Sequence, residues 1–157
     1  FPRLLFIHLF SNGLLFDASH LKQLRPGSDY VKKVTLSTDA ASKDTYAKVR
    51  GDQWDLLIKN LRWTGKQRQA GRFETFIHNF VFRAANFRDI PQAVALAHET
   101  HADLIYFTGL KYLKHMKLKN YQDENIGDPL HPDHSEFMQL YSQIKDDPIV
   151  RFRLRAG

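Results

Sequence analysis

Small polar residues recur in this chain just beyond short apolar runs. Ser11-Asn12-Gly13 follows Leu4–Phe10, and Ser37-Thr38-Asp39 follows the β-branched run that begins at Val31. Asn79 to Asn86 closes the run from Phe73, and Thr108-Gly109 follows Leu104-Ile105-Tyr106-Phe107. Hydroxyl, carboxamide and carboxylate groups at strand ends suit a ligand that carries hydroxyls or amines. Strand alternation puts Thr35, Ser37 and Asp39 on one side, with Val34, Leu36 and Thr38 on the other. Two structural roles compete with ligand binding: Asp39 can cap the next helix, and Ser37 can bond to nearby backbone.

Other residues offer different chemistry. Arg50 can pair with a carboxylate, although a solvated charge at a helix end is the favoured expectation. His98 and His101, and His131 and His134, have spacings that can hold a metal, but neither pair has a third convergent ligand, and Pro132 marks a helix start. The run Lys111-Tyr112-Leu113-Lys114-His115-Met116-Lys117-Leu118-Lys119-Asn120-Tyr121 interleaves cations with aromatics. It can track a phosphate backbone with bases stacked on Tyr, or it can be a solvated loop or lid. The tail from Arg151 to Arg155 alternates Arg with Phe and Leu, which suits a strand cut from its partners better than a nucleic-acid arm.

Composition bounds these options. The chain has 157 residues, a formal net charge of +6, 43% hydrophobic residues and no Cys. The apolar fraction is too high for a disordered chain, and no apolar run approaches the ~18–20 residues of a spanning helix. Without Cys there is no disulfide framework, thiolate zinc site, cysteine nucleophile or iron–sulfur cluster held by this chain alone. The length fits one domain. The chain starts at Phe1 with no basic stretch and no cleavage site around its first apolar run, so it reads as beginning inside a larger protein.

The elements that must position these residues follow from two apolar periods. Strands are expected at Leu4–Phe10, Val31–Thr38, Phe73–Phe82 and Asp103–Thr108. Helices are expected at Asp17–Leu24, in a segment capped by Ser42 or Asp44, and from about Asp52 to Gln69 on the spacing of Trp54, Leu57, Ile58 and Leu61. Gly65 sits inside that last helix. A further helix opens at Ile90-Pro91, with Pro in its first turn, and the last starts near Pro132. Asn86–Asp89 reads as a loop, as does the long stretch from Lys111 to Gly127. Strands separated by helices predict an α/β fold with a mostly parallel sheet, about four βα units of a partial (β/α) barrel. Ligands in such sheets bind at the C-terminal strand ends.

The ordered segments also resemble the radical S-adenosylmethionine (SAM) enzymes. Phe10-Ser11-Asn12-Gly13-Leu14-Leu15 is similar to their Thr-Asn-Gly-Leu-Leu turn, and Val34-Thr35-Leu36-Ser37-Thr38-Asp39-Ala40 to their Ser-x-Asp-Gly strand. Thr45-Tyr46-Ala47-Lys48-Val49-Arg50-Gly51, Asn79-Phe80-Val81, Asn86-Phe87-Arg88-Asp89-Ile90-Pro91 and Asp128 to Phe137 follow in the family's order. The resemblance covers nearly the whole chain and is greatest to members with a SPASM-type extension.

The resemblance implies a partial (β/α)6 barrel of which this chain supplies strands three to six. The family's CxxxCxxC loop, which holds a [4Fe–4S] cluster, and its Gly-Gly-Glu segment are not in this sequence. The cluster would therefore belong to the parent protein. That parent would reduce SAM to a 5′-deoxyadenosyl radical that abstracts hydrogen, as an oxidoreductase of the cytoplasm, and this chain alone would be inactive. The implied SAM-binding or substrate-facing residues are Ser37 first, then Asp39, Ser11, Asn12, Asn79 and Thr108. Ala40 stands where the family has Gly. Expected partners are the rest of the barrel, a small-molecule or peptide substrate, and further copies of the chain through sheet edges near Leu4 and Asp103. No membrane is implied. The alternative reading is a basic α/β nucleic-acid-binding module using Lys111 to Lys119.

Overall fold

The computed structural model describes residues 6–114 and 117–153. Five strands, β1 (Ile7–Ser11), β2 (Val31–Ser37), β3 (Thr75–Phe82), β4 (Leu104–Gly109) and β5 (Val150–Arg153), form one sheet in the order β1-β2-β3-β4-β5. Every neighbouring pair is parallel. The crossovers carry α1 (Ala18–Gln23), α2 (Lys43–Val49), α3 (Trp54–Gln69), α4 (Ile90–Glu99), α5 (Leu118–Glu124) and α6 (His134–Ile144). A sheet that adds each strand beside the previous one, with crossovers of one hand, stacks its helices on a single face.

That face holds the core. Val34, Leu36, Phe76, Phe80, Phe82, Ile105 and Phe107 alternate onto it and are buried. Phe107 stacks on Phe152 at 4.9 Å between ring centres, and Phe82 stacks on Phe137 of α6 at 4.9 Å. Burying a Phe of this kind contributes about 2–3 kcal/mol. Among the described residues the helices pack on the core face, and none is placed against the opposite one. His8 and Phe10 lie there beside Thr35, and Phe10 is 71% exposed.

The helix ends follow the side chains that satisfy their free N–H groups. Asp17 caps α1 by accepting from the His20 N–H at 2.9 Å, and Ser42, one of the two expected caps, opens α2. Pro91 lies in the first turn of α4. Gly65 does not weaken α3, because a Cβ there would sit 1.9 Å from the Thr100 carbonyl oxygen. The glycine is what lets α3 approach the end of α4.

Several expectations need correction. The tail strand is not cut from its partners: β5 pairs with β4 through Ile105↔Val150 to Thr108↔Arg153. The sheet therefore has a fifth strand beyond the four expected, and its edges are β1 and β5, not the strand near Asp103. Asn86–Asp89 is not wholly loop, since Phe87–Asp89 forms a 3-10 turn with Phe87 buried. The long stretch after β4 carries α5. The residues of the first apolar run before Phe6 lie outside the described ones, as do His115 and Met116 of the basic run and the tail beyond Arg153.

Candidate functional site at the C-terminal strand ends

Parallel register brings part of the expected set together. Ser37 is the register partner of Asn79, and Asn79 is the partner of Tyr106. Thr108 pairs with Val81, two residues further along the same face. Ser37, Asn79 and Thr108 are half-buried and lie across adjacent strands on the helix-free face. Ser37 and Thr35 share that face, as alternation requires, and the Thr35 hydroxyl lies 2.8 Å from His8 Nε2. Burial and the nearby Lys33 cation lower the pKa of His8 below the ordinary imidazole value.

Ser11 and Asn12 are placed differently. Ser11 pairs with Leu36, whose side chain packs on the helix side, so strand alternation points Ser11 away from the Ser37 face. Its hydroxyl accepts the Gly13 N–H at 3.1 Å, and Asn12 Oδ1 accepts the Leu14 N–H at 3.1 Å. Both side chains therefore shape a turn. Gly13 has φ +81°, and a Cβ there would meet Leu57 at 2.8 Å. Asn60 of α3 completes the turn by donating to the Gly13 and Leu14 carbonyls at 2.8 and 2.9 Å.

Asp39 is committed to protein contacts. It has φ +53° and is 8% exposed. Arg50 donates to Oδ2 through Nε at 2.9 Å and Nη2 at 2.5 Å, while the Val81 N–H donates to Oδ1 at 2.7 Å. Arg50 is thus paired with a carboxylate and not a solvated helix-end charge. Asn86 ties the same region together. Its Nδ2 donates to the carbonyls of Asp39 (2.8 Å) and Val81 (2.9 Å), and its Oδ1 accepts the Arg83 N–H at 2.8 Å.

Asp89 closes the neighbouring loop by accepting from the backbone of Ala41 (2.7 Å) and Ser42 (3.0 Å) and from the hydroxyls of Ser42 (3.1 Å) and Thr45 (3.0 Å). Asn86 and Asp89 were not among the expected site residues. Their signal was present in the Asn-Phe-Arg-Asp-Ile-Pro segment, but the partners that join them to the end of β2 and the start of α2 lie more than 40 residues away in sequence. The arrangement fixes the C-terminal ends of β2 and β3 relative to each other and presents Ser37 and Asn79 on a rigid rim.

The remaining candidates resolve into structural contacts. His98 Nε2 lies 2.9 Å from Asp147, and His101 adopts φ +56° at the turn after α4. His131 Nε2 donates to the Asp123 carbonyl at 3.0 Å, and His134 Nδ1 to the Ile126 carbonyl at 2.9 Å, so this pair staples the loop between α5 and α6. Among the described residues no three His, Asp or Glu side chains converge as a metal site. In the basic run, Tyr112 and Tyr121 pack edge to face at 5.4 Å. Among the described residues no helix is long and apolar enough to cross a membrane. A shallow groove of about 670 Å³ lies along α3, lined by residues that include Trp54, Ile58 and Trp63, on the far side of the helix layer from Ser37.

No protein-family model matches the chain, and no curated protein does. Solved structures do resemble it. The crystal structure of Streptococcus suis SuiB superposes with a TM-score of 0.61 at 15% identity, covering 94% of this chain and 32% of SuiB. SuiB bound to S-adenosylmethionine gives the same values. The structure of TYW1 with a lysine-pyruvate adduct bound gives 0.57 at 16% identity, covering 90% of this chain and 41% of TYW1. Both are radical SAM enzymes. The chain therefore spans about a third of SuiB and two fifths of TYW1, and its five-stranded parallel sheet has a radical SAM-like fold over that part.

Proposed function

We propose that this chain forms part of a radical SAM enzyme of the SPASM-type group and supplies barrel strands three to six, with β5 as an additional strand. Its helix-free face lines the side of the active site where SAM and substrate meet. The observation that carries this reading is the register pairing of Ser37 with Asn79 on one open face of a radical SAM-like sheet. Ser37 and Asn79 would hold SAM's polar groups through their hydroxyl and carboxamide, with Thr108 further along the rim. Asp39 would act through backbone placement, since its carboxylate is occupied by Arg50 and Val81. Ser11 and Asn12 would contribute the turn at the rim of β1 and not side-chain contacts.

The donor set suits SAM, which presents amine, hydroxyl and carboxylate groups. It does not suit an iron–sulfur cluster, because the sequence contains no Cys. Cluster ligands would come from the rest of the barrel, and the parent would work as an oxidoreductase in the reducing cytoplasm. With that cluster, SAM supplies a hydrogen-abstracting radical. This chain's own residues bind, orient and enclose. SuiB also exists bound to the precursor peptide SuiA, which supports a peptide as the class of substrate.

Equilibrium dialysis of the full chain with radiolabelled SAM tests the reading. Binding that falls at least fivefold in both Ser37→Ala and Asn79→Leu, with unchanged thermal unfolding, is expected. Equal binding by all three proteins contradicts it.

A further inference from the structure

The helix-free face carries a one-sided charge. Among the described strand residues that alternate onto it there is no carboxylate, and its charged members are Lys33, Arg151 and Arg153. Asp39, at the rim, is already neutralised by Arg50. The three cations are not equivalent. Lys33 lies toward the N-terminal half of β2, beside Thr75 in register and away from the rim. Arg151 folds back on its own strand, with Nη1 donating to the Pro148 and Val150 carbonyls at 2.9 and 2.6 Å.

Arg153 is exposed at the C-terminal end of β5, in register with Thr108. Its guanidinium carbon lies 4.2 Å over the centre of the Tyr106 ring. Stacking on an aromatic ring fixes the guanidinium plane without using the N–H donors at its edge. A guanidinium braced over a ring, on the strand next to a hydroxyl, can receive a carboxylate through two parallel hydrogen bonds from its fork. The place is separate from the Ser37 end of the rim: β2 and β5 are three strand spacings apart, roughly 14 Å at about 4.8 Å each. A ligand group held there belongs to a different part of the bound set from one held by Ser37.

We propose that Arg153, braced on Tyr106 beside Thr108, binds a carboxylate of the substrate and so selects acidic or free-carboxylate substrates. This rests on the reading of the helix-free face as the SAM and substrate side.

Nuclear magnetic resonance of the full chain tests it, following the Arg Nε–Hε and Tyr ring signals. The probes are acetyl-glycyl-glycine, its carboxamide, SAM and decarboxylated SAM. The expected result is a saturable shift of the Arg153 and Tyr106 signals with the free carboxylate at least tenfold stronger than with the amide. Arg153→Met should abolish it, Arg153→Lys should weaken it, and Arg151→Met should leave it intact. Equal response to carboxylate and amide, or an unchanged response in Arg153→Met, overturns the proposal. So does an Arg153→Met variant that loses SAM but keeps decarboxylated SAM, because the carboxylate would then be SAM's own. Carboxylate binding at Arg153 in a chain that binds no SAM sustains this assignment while removing the SAM reading, so the two fail separately.

Discussion

Arg50 reaches back eleven residues to clamp Asp39, donating through Nε at 2.9 Å and Nη2 at 2.5 Å to one carboxylate oxygen while Val81 N–H holds the other at 2.7 Å. The clamp joins three pieces of chain at the C-terminal ends of β2 and β3. It also holds Asp39 in the left-handed backbone region, at φ +53°. Non-glycine residues visit that region at a cost, and the surrounding contacts must offset it.

Breaking the clamp should therefore be severe. Arg50→Leu leaves a mostly buried carboxylate without its cation, and a loss of about 3 kcal/mol is expected. Urea unfolding should show a lower midpoint with an unchanged slope. The double variant Arg50→Leu/Asp39→Asn should recover part of the loss. Additive losses in the two variants would mean that the pair is not coupled.

His78 gives the protein an acid sensitivity. It is fully buried on the core face, its Nε2 lies 3.0 Å from the Thr100 hydroxyl, and its Nδ1 has no partner among the described residues. Thr100 donates to the Leu96 carbonyl at 2.8 Å, so His78 is the donor to Thr100 through Nε2–H. Burial lowers its pKa from 6.5 to about 3. The stability held by neutral His78 is present above the unfolded value of 6.5 and is lost as pH falls toward about 3. In that window the unfolded chain takes up a proton that the folded one refuses, and the slope approaches ~1.4 kcal/mol per pH unit. Comparing wild type with His78→Phe by denaturant unfolding from pH 7 to pH 4 isolates this contribution. The variant should show a shallower fall, and parallel curves would refute the assignment.

Gly65→Ala should destabilise although Ala is the better helix former by about 1 kcal/mol. The added methyl would lie 1.9 Å from the Thr100 carbonyl oxygen, so α3 and α4 must separate. A melting temperature lowered by more than ~5 °C is expected for a domain of this size. A raised one would show that the helices do not approach as described.

Among the described residues no further strand lies beyond β1 or β5, the two edges of the sheet, and Phe10 is exposed on the strand at one edge. Such edges associate. Light scattering after gel filtration should show dimers or larger species, shifted toward monomer by Phe10→Lys. A monodisperse wild-type monomer would contradict this.

Much of the fold was legible because apolar periodicity survives in the long elements. α3 occupies Trp54–Gln69 against an expected start near Asp52, and β2 ends one residue before the expected Thr38. Ser42 and Pro91 act at the helix starts their chemistry suggests. β5 was harder to place because it is four residues long and its pairing depends on β4, more than 40 residues earlier.

For the candidate residues, sequence alternation gave placement on the sheet for some and not for others. Ser37, Asn79 and Thr108 fall on the open face because strand alternation and parallel register place them there. Asp39 does not continue that alternation into a free ligand contact, since a left-handed turn directs its carboxylate to Arg50 and Val81. Ser11 ends β1 on the helix side, a matter of a single residue of register.

On the proposed function, SAM binds across the C-terminal rim of the helix-free face. Titrating SAM into the isotopically labelled full chain and mapping amide shifts tests it most directly. The amides of Ser37, Asn79 and Thr108 are expected to shift together and saturate, while Trp54 and Trp63 along the α3 groove stay still. Shifts confined to the α3 groove, or none at all, would contradict it.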